Sequence, residues 1–218
     1  MTRPKIVISI TVITFVLFAV SIFIWNSQQI SSTSVTSHES SLLERPYSPS
    51  FGPKEATVTI VEFFDPACEA CRAFYPFVKK VMNENPENIR LVLRYTAFHE
   101  GSDEVIRLLE ASRLQGLFKP VLETILARQS SWADHGNPNL SFAWAAAKDA
   151  GLDVQKAKQD IHKIEITNVL KQDTADVKAL GIKKTPTFFV NGKALETFGA
   201  QQLYDLVNSE LNKLGYPK

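Results

Sequence analysis

Cysteine is scarce: the 218 residues hold only two, Cys68 and Cys71, and both stand in one Cys-x-x-Cys motif. That scarcity excludes a disulfide-stapled scaffold. It also argues against structural zinc, which takes four ligands, since no second cysteine pair exists and His38, His99, His135 and His162 show no His-x3-5-His spacing. An excess of charge of one sign is missing as well. With 24 basic and 23 acidic residues there is no large field to draw in nucleic acid or an anionic surface. Nothing in the chain suggests a bound metal, nucleotide or flavin, so no cofactor is expected.

What is present is organised around Val58 to Pro76. The apolar, β-branched run Val58-Thr59-Ile60-Val61-Glu62-Phe63-Phe64 reads as a strand ending at Asp65-Pro66. Beyond it, Ala67, Ala70, Cys71, Phe74, Phe77, Val78 and Val81 recur at helical spacing. A strand therefore delivers the cysteine pair to a helix N-terminus, where unpaired N–H groups and the positive end of the helix dipole favour thiolate over thiol. Cys68, in the first turn, is the expected exposed nucleophile. Cys71, one turn deeper, is the expected resolving thiol, able to attack a mixed disulfide held on Cys68. A structural disulfide is a weak alternative because so short a loop constrains little of the unfolded chain. Two unrelated buried cysteines are the other alternative, and they leave the placement behind a strand unexplained.

At the N-terminus, Ile6 to Trp25 is an uncharged run rich in Ile, Val, Leu and Phe. As a helix it matches the ~30 Å hydrocarbon core of a bilayer. Arg3 and Lys5 precede it and no cation follows until Arg45, so the positive-inside rule keeps the N-terminus in the cytoplasm and exports the rest. A cleaved signal peptide is the competing reading; this run is longer than a signal's apolar region of ~7 to 15 residues and lacks an Ala-x-Ala-like site, although Ser31 to Ser34 would permit cleavage. The domain plan is thus a cytoplasmic tip and transmembrane anchor over 1–25, a Ser/Thr-rich tether over 26–50 and a globular domain over 51–218. Leu42 and Leu43, inside the tether, either dock on the domain or play no part.

In the globular part, Asn88 to Tyr95 reads as a second strand. Residues 101–181 then lose strand character. Helices are predicted around Val105 to Ser112, Phe118 to Ile125 and Leu140 to Ala147, and from an Asp153 N-cap through Ile161, Ile164 and Val169 to Leu180, in one piece or two, with Gly181 as the stop. Trp132 and Trp144 fit a core better than a binding platform. Thr187 to Val190 is a strand, Asn191-Gly192 a two-residue hairpin signal, and Lys193 to Leu195 the return. Leu203, Leu206, Val207, Leu211 and Leu214 mark the apolar face of a last helix. The outer elements form an α/β unit, and the helices between them an insertion.

Taken together, Val61-Glu62-Phe63-Phe64 before Cys68-Glu69-Ala70-Cys71, the segment Gly181-Ile182-Lys183-Lys184-Thr185-Pro186-Thr187-Phe188-Phe189-Val190-Asn191-Gly192 and the helical block between them resemble the DsbA-like thiol-disulfide oxidoreductases, a family with the thioredoxin fold. The resemblance implies a thioredoxin-like α/β fold with an inserted helical block, here preceded by the transmembrane helix. It also implies a cis peptide bond between Thr185 and Pro186, lying against the cysteines, where the Thr185 backbone can pair with an extended substrate segment. An ordinary strand-starting proline is the alternative for Pro186. Glu62 shares a strand face with Ile60 and Phe64, where a carboxylate is costly unless it is paired or functional. The resemblance gives Glu62 the relay of protons to Cys71; the alternative is a strand-edge glutamate facing water. Arg94 is its candidate ionic partner, and Pro76 resembles a structural helix kink. Where the best-known oxidase branch has Pro-His between the cysteines, this chain has Glu69-Ala70, and Glu69 should raise the Cys68 pKa relative to that arrangement. The dimerisation domain of the isomerase branch is absent, since residues 26–50 are too short and too polar to supply it.

The expectation is a membrane-anchored enzyme that exchanges disulfides with exported cysteine-containing proteins, most simply as an oxidase recycled by a membrane redox partner. Its catalytic residues would be Cys68, Cys71, Thr185, Pro186 and Glu62, outside the cytoplasmic membrane. The alternatives are a reductase or isomerase fed by a membrane electron donor, and a non-enzymatic holdase or assembly factor.

Overall fold

The computed structural model describes residues 41–134, 136–213 and 215. The expected anchor, most of the tether, His38, His135 and Leu214 lie outside the described residues, and among those described no helix is long and apolar enough to cross a membrane.

Among the described residues, five strands form one sheet in the order β1-β3-β2-β4-β5: β1 is Ser50–Phe51, β2 Val58–Phe64, β3 Ile89–Tyr95, β4 Thr187–Val190 and β5 Lys193–Ala194. Strands β2 and β3 run parallel; the other pairs are antiparallel. Helix α1 (Glu69–Glu84) makes the crossover between β2 and β3. The insertion is filled by α2 (Ser102–Arg113), α3 (Phe118–Ala127), α4 (Gln129–Trp132), α5 (Leu140–Asp149), α6 (Val154–Asp160) and α7 (Ile164–Ala179). Helix α8 (Ala200–Lys213) closes the domain.

Local chemistry explains these boundaries. Asp153 caps α6 by accepting from the Lys156 N–H at 3.0 Å, as its position predicts. The long stretch after it is two helices, α6 and α7. Asn191 and Gly192 both have positive φ, 47° and 80°, which a two-residue hairpin requires. Asn191 also ties the turn down, its side chain accepting from the Thr59 N–H at 2.8 Å. Gly52 has φ 97°, and a Cβ there would lie 2.5 Å from the Ile89 carbonyl oxygen, so only glycine lets β1 turn in beside β3.

Strand alternation splits the core in two. Val58, Ile60, Phe64, Leu91 and Leu93 face one side and pack with the cysteines, α1, α8 and the inserted helices. Val61, Phe63 and Val92 face the other and pack with Val177 of α7 and with Leu43. Trp132 is a fully buried core residue, while Trp144 is partly buried with its Nε1–H donating to Glu104 at 2.7 Å.

The packed body begins at Leu42. Of the two readings of Leu42-Leu43, docking is what the structure shows. Leu43 is buried, the Leu42 carbonyl accepts from Arg94, Glu44 pairs with Arg90 at 2.6 Å, Arg45 with Asp176 at 2.6 Å, and the Tyr47 hydroxyl donates to Asp173 at 2.7 Å. The tether reading therefore concerns residues 26–40, outside the described residues, while Leu42 to Tyr47 forms a strap bound to α7 and β3.

Candidate active site

Strand β2 ends at Phe64, the chain turns through Asp65-Pro66-Ala67, and Cys68 becomes the N-cap of α1. Cys68 is thus the half-helical residue ahead of the first turn, and its backbone carbonyl accepts from the Arg72 N–H at 3.1 Å. Its sulfur lies 3.3 Å from the Thr185 carbonyl oxygen, and the Thr185-Pro186 peptide bond is cis. The two motifs, far apart in the chain, therefore meet. Both cysteines are free.

The expectation of an exposed nucleophile needs correction. Cys68 is only 6% exposed because the Thr185-Pro186 loop lies against its sulfur, while Cys71 is fully buried beneath it. The expected order of access holds, but the opening is narrow.

The electrostatics of the two thiols diverge. The Cys68 pKa falls to about 5, first through the hydrogen bond with the Cys71 thiol, then through the Thr185 side chain and the Cys71 and Ala70 N–H groups, against the opposing effect of burial. The N–H groups of the helix N-terminus contribute to that fall, behind the Cys71 thiol. Cys71 moves the other way: burial pushes its thiol far up, helped by its hydrogen bond to Cys68 and by the charge of Glu62. One sulfur favours the anion and the other holds its proton.

Glu62 lies fully buried on the same face of β2 as Ile60 and Phe64, so the water-facing alternative is excluded. Among the described residues neither carboxylate oxygen has a hydrogen-bond partner. Burial, then the charge of Cys68, raises its pKa to about 8. The expected ion pair with Arg94 does not form. In the parallel register Glu62 stands beside Leu93, and Arg94 stands beside Phe63, so Arg94 points to the opposite face. There its guanidinium pairs with Asp173 at 2.8 Å and Asp176 at 2.6 Å.

Four residues that bond around the cysteine turn, Asp65, His99, Ser102 and Gln129, are not among the site residues expected from the sequence. Asp65, fully buried, accepts through Oδ1 from the Ala67 N–H at 2.9 Å and the Ser102 hydroxyl, and through Oδ2 from the N–H groups of Phe98 and His99 at 2.8 and 3.0 Å. The His99 ring Nδ1 lies 2.8 Å from the same oxygen. Gln129, 1% exposed in α4, donates from Nε2 to the carbonyls of Pro66 at 2.7 Å and Cys68 at 3.0 Å, and accepts from Arg72 at 2.9 Å. Asp65 carried a signal, an aspartate before proline at a turn that bonds the backbone two residues on. Gln129 carried none.

Beside the site, Phe74 of α1 packs at a tilt against Phe198, with ring centroids 4.4 Å apart, and against Phe188 at 5.7 Å. Phe198 is 41% exposed, which leaves an aromatic surface next to the cysteine helix. A separate groove of about 880 Å³ runs between α1 and α3, and neither cysteine lines it.

A family profile described as Thioredoxin matches residues 44–208. Among curated relatives, a Na(+)/H(+) antiporter NhaA from Herminiimonas arsenicoxydans is 30% identical over 158 residues, 71% of this chain and 24% of that protein. The chain therefore spans about a quarter of that relative's length. Among solved structures, a thioredoxin-like oxidoreductase from Silicibacter pomeroyi DSS-3 superposes with a TM-score of 0.67 at 29% identity, covering 82% of this chain and 98% of the other. BdbD from Bacillus subtilis superposes with a TM-score of 0.63 at 20% identity, covering 76% and 93%, a likeness of fold. On the matched profile, the fold and the paired cysteines under a cis-proline loop, the chain belongs to the thioredoxin family, among its DsbA-like thiol-disulfide oxidoreductases.

Proposed function

We propose that this protein oxidises exported proteins outside the cytoplasmic membrane, held there by the apolar run Ile6 to Trp25. What supports the oxidising direction is the placement of Cys68 at the N-cap of α1, where the Cys71 thiol, the Thr185 side chain and the Cys71 and Ala70 N–H groups lower its pKa to about 5. A stabilised thiolate makes the reduced pair the favoured state, so the disulfide is readily given away.

A substrate thiolate attacks Cys68 in its disulfide with Cys71; a new S–S bond forms, the old one breaks, and Cys71 leaves with the electron pair. Burial makes a Cys71 thiolate costly. Glu62, with a pKa of about 8, is protonated at neutral pH and supplies a proton to the departing sulfur. The substrate's second thiolate then attacks its own sulfur in the mixed disulfide and releases Cys68 as thiolate. Two electrons have passed from substrate to enzyme, and a quinone-linked membrane partner takes them on. The Thr185 backbone, beside Cys68 Sγ, holds the substrate segment in extended form.

A second reading, as reductase or isomerase, draws on Glu69, a carboxylate in the first turn of α1 immediately after Cys68, where the best-known oxidase branch has proline. Equilibrium titration against glutathione separates the two: a potential near about −120 mV supports the oxidase and one near about −270 mV the reductase. Cys68→Ser should abolish exchange, and if activity in cells survived it only a binding role would remain. Cys71→Ser should trap mixed disulfides, identifying substrates and recycling partner by mass spectrometry.

A further inference from the structure

The loop that presents Cys68 is gripped from both sides by side chains that take no part in sulfur chemistry. On one side the buried Asp65 carboxylate gathers the Ala67 N–H, the Ser102 hydroxyl and the Phe98 and His99 N–H groups. On the other, Gln129 donates both amide hydrogens inward, to the carbonyls of Pro66 and Cys68. Its orientation is unambiguous: two carbonyls require donors, and the Arg72 Nε–H requires an acceptor, which only one setting of the amide satisfies. Between Asp65 and Cys68 the polar groups of the turn are thus anchored to α2, to the chain before it and to α4, all in the insertion or at its border.

We propose that Asp65 and Gln129 are positioning residues for disulfide exchange, a two-sided clamp through which the inserted helices hold the Cys68 sulfur at the N-cap of α1 and against Thr185. The helical block then has a task in the reaction: α4, only four residues long, delivers Gln129 to the turn and buries Trp132 in the core, its Nε1–H on the Ile125 carbonyl. A buried, fully bonded amide and carboxylate cost more to disturb than surface groups, because each lost partner leaves a buried donor or acceptor unmet. The geometry also bears on the low Cys68 pKa: the Cys71 thiol lowers it most and the Cys71 and Ala70 N–H groups add to that, and all of them act on a sulfur whose place the turn sets. The clamp has this role only if the protein exchanges disulfides as proposed.

The test uses the full chain with Gln129→Met, which is close in size, uncharged and cannot donate to the two carbonyls, and Arg72→Lys, a half-buried change that keeps the charge but loses the guanidinium Nε–H donor to Gln129 Oε1. The readouts are the pH profile of Cys68 alkylation by iodoacetamide, ultraviolet absorbance of the thiolate, and exchange with glutathione, beside thermal unfolding. With Gln129→Met, alkylation at pH 5 should fall about fivefold, as expected for a pKa rise of roughly one unit from about 5, with little change at pH 8. Arg72→Lys should move the profile the same way by less, and it carries the test if Gln129→Met does not fold. Folded variants with the wild-type profile overturn the clamp while leaving the exchange reading intact. A wild-type protein that exchanges nothing with glutathione overturns that reading instead, and a wild-type alkylation midpoint shared by both variants still overturns the clamp.

Discussion

Glu62 and Arg94 face opposite sides of the sheet although their strands are hydrogen-bonded neighbours, because the register sets Glu62 beside Leu93 and Arg94 beside Phe63. One position of offset decides that the carboxylate stays unpaired next to the cysteines and that the guanidinium is neutralised elsewhere.

Glu62→Gln should therefore stabilise the reduced protein, and do so more as pH rises. The folded pKa of about 8 lies above the usual carboxylate value, so between about pH 4.5 and pH 8 the native state binds more protons than the unfolded one and stability falls with rising pH. Above pH 8 the cost of the buried charge is complete, on the order of 5 kcal/mol at most. Urea unfolding at pH 5 and pH 9 measures the difference, and an equal gain at both would remove the buried charge as its cause. The same variant should slow the step in which Cys71 leaves, read as a lower single-turnover rate.

The reduced protein should be more stable than the oxidised one at neutral pH. The Cys68 pKa is depressed, so its stabilising effect is complete above the unfolded thiol value of about 8.5 and is lost as pH falls through about 5. The urea midpoints of the two redox forms should thus converge as the medium is taken from pH 8 to pH 4. Parallel midpoints across that range would show that the thiolate does not set the redox balance.

Arg94→Met should cost about 3–5 kcal/mol, because it strands the carboxylates of Asp173 and Asp176 in the interior. Arg45→Ala, at a partly exposed side chain on the same Asp176, should cost less. Since these groups face away from the cysteines, the pH profile of Cys68 alkylation should be unchanged in both. A shifted profile would mean that the two faces of the sheet are coupled.

The same network sets the response to acid. Burial alone would raise the Asp176 pKa, but hydrogen bonds from Arg45, Arg94 and Gln172 outweigh it and hold the carboxyl below the usual range. Its contribution is present above the unfolded value of about 3.9 and is lost as pH falls below that. Asp176→Asn should flatten the loss of stability between about pH 4 and pH 2, measured by urea titration at each pH.

What the chain disclosed about itself depended on range. The Val58 to Phe64 run and the spacing from Ala67 to Val81 are local patterns, and β2 and α1 follow from them. The burial of Glu62 followed from its neighbours Ile60 and Phe64 on the strand. Its lack of a partner did not, because that depends on inter-strand register, which no local pattern records. Strand β1 has two residues and α4 four, too few for any periodicity to register. The partners of Gln129 are backbone carbonyls of Pro66 and Cys68, which look alike in every sequence.

The strap from Leu42 to Tyr47 has a mechanical consequence. Its ion pairs end on β3 and α7, and its buried leucine sits under the sheet face that the cysteines do not share. Tension arriving along the chain from the N-terminal side would be borne at Glu44 and Arg45, and the sulfur pair across the sheet would be spared the load.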